Sequence, residues 1–106
     1  MDIYEIFKKI TDFEWDKGNI EKNIAKHDIK NSEAEEVFFN FNIINFDEKH
    51  STSERRYFLL GITNENKILF VVFTIRGEKI RIISSRIASD KEREIFRKEY
   101  KKYEKL

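Results

Sequence analysis

Apolar and polar positions along the chain follow two periods, and the longest apolar stretch sets the frame. Residues 68–75, ILFVVFTI, are apolar on both parities: Ile68, Phe70 and Val72 on one, Leu69, Val71, Phe73 and Ile75 on the other. A strand with one face in water alternates, so this segment predicts a central strand covered on both faces. Gly77, with polar Glu78 and Lys79 beside it, predicts a tight turn, after which the chain returns as IRIISS. Strands are predicted over residues 43–47, 56–63, 68–75 and 79–85, joined by the short polar segments DEKHSTSE, NEN and RGE. Connections of that length suit an antiparallel meander.

The flanking segments carry helical spacing. Ile3, Phe7 and Ile10, with Tyr4 beside them, predict a short helix, and Phe13-Glu14-Trp15 a brief strand. Asp16 is placed to cap a helix reaching about His27. On its wheel Ile20 and Ile24 form the buried stripe, and Asn19, Asn23, Lys26 and His27 the adjoining polar side. Ser32-Glu33-Ala34-Glu35 is a capping-box pattern that starts a second helix at Ser32, with Ala34, Val37, Phe38 and Phe41 as its core face. Ser89 or Asp90 caps the last helix, where Phe96, Tyr100 and Tyr103 form an aromatic stripe. Helices, about four strands, then one helix predict an α+β fold: N-terminal helices packed on a mainly antiparallel sheet, with a C-terminal helix.

At 106 residues the chain is expected to form one domain with one core. Charged side chains make up 39% of it, yet 21 basic and 20 acidic residues leave a net charge of +1, so only a local patch can attract nucleic acid. Cysteine is absent, which excludes disulfides and thiolate metal sites and suits a reducing compartment. No apolar run approaches the ~20 residues of a membrane span, and a cytoplasmic location is expected. A stand-alone DNA-binding domain is disfavoured, because the chain has neither a helix-turn-helix signature nor a basic recognition helix. Arg81 and Arg86 sit on an otherwise β-branched strand, where an unpaired guanidinium is costly. They must either pair with carboxylates or face a groove that receives an anion.

Four stretches, in order, resemble one family. Trp15-Asp16, Asn23 and Lys26-His27 resemble a W-D…N-x-x-K-H opening, and Glu36-Val37-Phe38 resembles an E-V-F helix segment. His50-Ser51…Glu54-x-Arg56-Tyr57, then Gly61, resembles H-S…E-x-R-[FY]…G. Arg81-Ile82-Ile83-Ser84-x-Arg86-x-Ala88 with Glu92-Arg93 resembles the closing R-I-I-S-A-R-x-A…E-R. These are motifs of the BrnT family of bacterial type II toxins. The chain has Asn19 where the family commonly has Lys, and Asp28 where it has a Gly at a left-handed helix end. Residues 1–12 have no clear counterpart in the family. The resemblance implies a RelE-like fold and cleavage of RNA, mRNA in particular. It also implies inhibition by a cognate BrnA-like antitoxin with a ribbon-helix-helix DNA-binding domain, so that DNA is met only through the antitoxin.

Metal-free cleavage of RNA needs a base for the 2′-OH, cations for the phosphorane and an acid for the 5′-oxygen. No Asp, Glu or His cluster in the sequence has convincing metal spacing, so no metal or other cofactor is expected. The candidate catalytic residues are Lys26, His27, Glu54, Arg56, Arg81 and Arg86, and the candidate RNA-binding residues Lys26, Arg56, Tyr57 and Arg86. Guanidiniums bind phosphate bidentately and stay charged. An imidazole can move protons in either direction near neutral pH, so His27 is a candidate for base or acid, although it also suits a helix end. Glu54 and His50 lie in the loop before Arg56, where Glu54 either moves protons or orients Arg56. Tyr57 either stacks on a base or enters the core. Strand parity adds a constraint: Arg81 and Arg86, five apart, face opposite ways unless a bulge or strand end re-aims one. The reading from another class is a non-catalytic module that keeps the fold and binds a protein or nucleic acid.

Overall fold

The computed structural model describes residues 5, 7–20 and 28–105. A five-stranded sheet is its frame: β1 (Asp12–Phe13), β2 (Asn42–Asp47), β3 (Arg56–Ile62), β4 (Ile68–Arg76) and β5 (Lys79–Ile87), in the order β1-β5-β4-β3-β2. Strands β2 to β5 form the antiparallel meander, and β1 adds a parallel edge through Asp12↔Lys79 and Phe13↔Ile80. The sheet is thus mixed and has five strands, against about four expected. The fifth strand is the brief one expected at Phe13-Glu14-Trp15; it lies at Asp12–Phe13 and joins the sheet as a parallel edge. Helix α1 (Asn31–Glu36) precedes β2, and α2 (Asp90–Glu104) follows β5.

The local chemistry explains most boundaries. Gly77, at φ 60, opens the two-residue turn between β4 and β5, a position that a type II′ turn reserves for glycine. Asn66, at φ 69, closes the β3–β4 connection, where the Lys67 N–H donates to Thr63 Oγ1. Ser89 caps α2: its hydroxyl accepts from the Glu92 N–H, and the Glu92 carboxylate accepts from the Ser89 N–H. Asp28 stands where the family has Gly and nevertheless takes φ 54, a left-handed conformation that Asp tolerates better than most residues. Helix α1 begins one residue earlier than expected, at Asn31, and Glu33 rather than Ser32 ties its start by accepting from the Lys30 N–H.

One face of the sheet is closed. Leu59, Leu69, Val71, Phe73, Ile80 and Ile82 pack there against Ile29, Ala34 and Val37. Phe7, Phe13 and Phe38 seal that core through edge-to-face rings, Phe38 lying 5.0 Å from Phe73. Gly61 allows the close approach of Val37, since a Cβ there would stand 2.8 Å from Val37 Cβ. Among the described residues the opposite face is covered at one end, where Phe96 of α2 joins Ile68 and Ala88, with Phe41, Ile43, Leu60 and Ile62 around them. Phe41 thereby serves this second cluster and not the core face of α1.

Among the described residues strand β4 is fully covered along one face only: Phe70 and Val72 on the other are half-buried and stand outside the cluster around Phe96. The helix expected over residues 3–10 is described only in part, ending in a turn where the Ile10 N–H donates to Phe7 O. The helix expected over residues 16–27 opens as a turn at Asp16, and residues 21–27 lie outside the described residues. Within that turn the wheel is reversed: Asn19 is buried and Ile20 exposed. Asn19 turns inward because it is a hydrogen-bond hub, donating to Glu14 O and Ile82 O while accepting from the Asp16 N–H. Among the described residues no helix is long and apolar enough to cross a membrane.

Candidate active site on the open sheet face

A β-bulge decides which side chains share the open face. Val72 pairs with Ser84 but Phe73 pairs with Ile82, so Ile83 is an extra residue on β5. The extra residue shifts the parity of the strand. Arg81, opposite Thr74, and Arg86, opposite Phe70, therefore lie on one face. Arg56 joins them, since Arg56↔Asp47 falls one pairing step beyond Tyr57↔Phe73 on the alternation of β3. The face reads as rows across the strands. Asp47, Arg56, Thr74 and Arg81 form one; Asn45, Phe58, Val72 and Ser84 the middle; Ile43, Leu60, Phe70 and Arg86 the third. The two arginine rows stand roughly 13 Å apart, four residues along β4 at ~3.3 Å each. The Phe58 ring of the middle row lies 5.2 Å from the Phe70 ring of the Arg86 row, and both are half-buried.

The three arginines are held differently. Arg86 stacks its guanidinium 4.3 Å from the Phe70 ring centre and grips Glu92 with two hydrogen bonds, 2.7 and 3.0 Å. That guanidinium, aided by the Ser89 N–H, holds the Glu92 carboxyl down to about 2 against the cost of its partial burial. Glu92 in turn raises the pKa of Arg86. Arg81 grips Asp16 through 2.8 and 3.0 Å hydrogen bonds and reaches Glu14 at 3.0 Å. The hydrogen bonds from Arg81 and the Gly18 N–H lower the pKa of Asp16, and Asp16 raises that of Arg81. The side chain of Arg81 is 13% exposed and that of Arg86 40%, so Arg86 is the one open to a ligand. Arg56 forms no side-chain hydrogen bond or ion pair with any described residue.

Glu54 lies at the edge of this face and pairs with Arg76, 3.3 Å away, rather than with Arg56. Arg76 also meets Glu14, so Glu54, Arg76, Glu14, Arg81 and Asp16 form one chain of charges along the sheet end. Tyr57 lies on the closed face, buried and stacked 5.4 Å from Phe73, which removes its ring from any base. Its neighbours in alternation, Phe58 and Phe70, are the aromatic surfaces actually presented. They were missed because they read as core on an apolar strand. Trp15 is half-buried against the core and donates to Glu35 Oε2 at 2.6 Å. Lys26 and His27 fall outside the described residues.

The pattern of elements and motifs is matched by comparison. The family described as "Ribonuclease toxin, BrnT, of type II toxin-antitoxin system" matches residues 15–92. Among solved structures, that of the Brucella abortus ribonuclease toxin BrnT is similar to the chain with a TM-score of 0.54 and 25% identity, over 76% of this chain and 99% of that one. Comparison with curated proteins gave no match. The family match runs from Trp15, just after β1, to Glu92 in the first turn of α2, and thus takes in all three arginines, Glu54 and the open face. The chain belongs to the BrnT family of ribonuclease toxins of type II toxin–antitoxin systems.

Proposed function

We propose that this chain is a metal-independent endoribonuclease toxin whose active surface is the open face of the sheet. The observation that carries the reading is the bulge at Ile83, which brings Arg86 to the side of Arg81 and Arg56, on the face that the helices among the described residues leave partly open. Arg86 and Arg56 hold the scissile and flanking phosphates, and Arg81 fixes the sheet end from its carboxylate pairs. The Phe58 and Phe70 rings offer stacking surface for bases, which is sequence-tolerant because every base has a π-face. A base takes the 2′-OH proton as the 2′-oxygen bonds to phosphorus, and the bond to the 5′-oxygen breaks as an acid protonates it. Glu54 or His27 serves as base, with Lys26 against the phosphorane. A cognate antitoxin, BrnA-like with a ribbon-helix-helix domain, silences the toxin by covering the same face.

The test is cleavage of a defined RNA by the purified chain in the presence of chelator, comparing wild type with Arg86→Lys and Arg56→Lys. Both variants keep the charge and lose the planar fork, so cleavage falls about tenfold or more while melting temperature barely moves. Normal cleavage by both would overturn the assignment. A non-catalytic binding module is the second reading, favoured by the carboxylate pairs on Arg81 and Arg86. A wild-type chain that binds RNA or antitoxin but cleaves nothing would establish it.

A further inference from the structure

The proposed reaction lacks an assigned acid among the described residues, and one loop supplies a built candidate. The His50 ring sets Nδ1 3.0 and 3.2 Å from the two oxygens of Asp47, whose side chain is 4% exposed while that of His50 is 58% exposed. Asp47 Oδ1 also accepts from the His50 backbone N–H at 3.2 Å, so one carboxylate fixes both ends of the residue. Ser51 ties the same loop shut: its hydroxyl donates to Asp47 O at 2.5 Å and accepts from the Arg56 N–H at 2.9 Å. The loop is therefore closed onto the cross-strand pair Asp47↔Arg56, in the first arginine row of the open face. A carboxylate against one ring nitrogen fixes the tautomer and leaves the other nitrogen outward, the arrangement that positions an imidazole for proton transfer.

We infer that His50 is the general acid of this site, delivering its Nε2 proton to the departing 5′-oxygen, and that Asp47 is its positioning residue. The inference rests on the reading of the open face as a ribonuclease surface. An ionised carboxylate only accepts hydrogen bonds, whereas an imidazolium donates from both nitrogens, so it can keep Asp47 with one and deliver a proton from the other. His50 is the one histidine among the described residues. In the step, the 2′-oxygen gains its bond to phosphorus and loses its proton to the base. The 5′-oxygen loses its bond to phosphorus and gains the proton from Nε2, leaving a neutral imidazole that water reprotonates. Arg56, beside Asp47, holds the phosphate on which that leaving oxygen sits.

The experiment uses the full chain, an RNA that the wild type cleaves, and the same RNA with sulfur replacing the 5′-bridging oxygen at the cleavage site. A thiolate leaves without a proton. His50→Ala should lower kcat on the oxygen substrate by about 10²–10⁴-fold, with KM and melting temperature near wild type, and lose this deficit on the sulfur substrate. Asp47→Asn should lower kcat with the same insensitivity on sulfur, which a merely structural fault would not give. Equal cleavage of the oxygen substrate by His50→Ala and wild type overturns the inference alone, as does a deficit that persists on sulfur. A wild type that cleaves no RNA overturns the ribonuclease reading and this inference together.

Discussion

Arg86 and Glu92 are bound by two charge-assisted hydrogen bonds, and the pair sets an acid limit on stability. Glu92 titrates at about 2 in the fold against 4.5 ordinarily. A depressed carboxyl contributes stability that is fully present above the higher value and lost as pH falls through the lower one. Melting temperature should therefore drop between about pH 4.5 and 2 more steeply in the wild type than in Glu92→Gln; equal slopes would contradict the pairing. Arg81 should behave as a fastener: Arg81→Met lowers melting temperature by freeing Asp16 and Glu14, with a fall in cleavage no larger than the loss of folded protein explains. The sequence required that Arg86 meet a carboxylate or a groove without choosing between them, and the partner proves to be Glu92, six positions on across a helix cap. It did not reveal Asp16 as the partner of Arg81, 65 positions away, because that contact exists only once the turn after β1 is laid beside β5. Asn19 was misread for a related reason, since a helical wheel counts amides as polar and cannot see the carbonyls of Glu14 and Ile82 waiting inside.

Strand β4 tests the difference between the two faces. Val71 is fully buried, whereas Val72, one residue on, lies half-buried on the open face. Val71→Asp should give unfolded or insoluble protein, the result of burying an unpaired charge, while Val72→Asp should stay soluble and melt cooperatively. Unfolding by both would mean that the second face is covered after all. Gly61→Ala forces a methyl against Val37 and Leu59 and should cost about 1–3 kcal/mol in denaturant unfolding. The meander was legible because β-branched runs, polar connections and Gly77 all agree on it. What the sequence left open was the bulge, one of the ways by which Arg81 and Arg86 could share a face. One extra residue at Ile83 leaves a strand pattern looking regular, yet it moves Arg86 to the side of Arg81 and so creates the candidate site. The aromatic pair Phe58 and Phe70 escaped, because apolarity on both parities looks the same whether α2 covers the whole strand or only its end.

Over the whole molecule, a net charge of +1 gives RNA little long-range attraction, and binding must rest on a few contacts at the arginine rows. Two phosphate contacts correspond to a salt slope of about −1 to −2 for single-stranded RNA, far shallower than that of a broadly basic binder. The antitoxin complex should respond to salt less than RNA does, because the aromatic stripe of α2 adds apolar area beside the open face. An antitoxin released by moderate salt while RNA stays bound would separate the two surfaces. The most direct measurement is the amide NMR spectrum of the chain titrated with an RNA whose 2′-hydroxyls are methylated, so that it binds without being cleaved. The account predicts shifts at Arg56, Phe58, Phe70, Ser84 and Arg86, and little change at Ala34, Val37 and Tyr57 on the closed face. Shifts gathered around α1, with the open face silent, would contradict it.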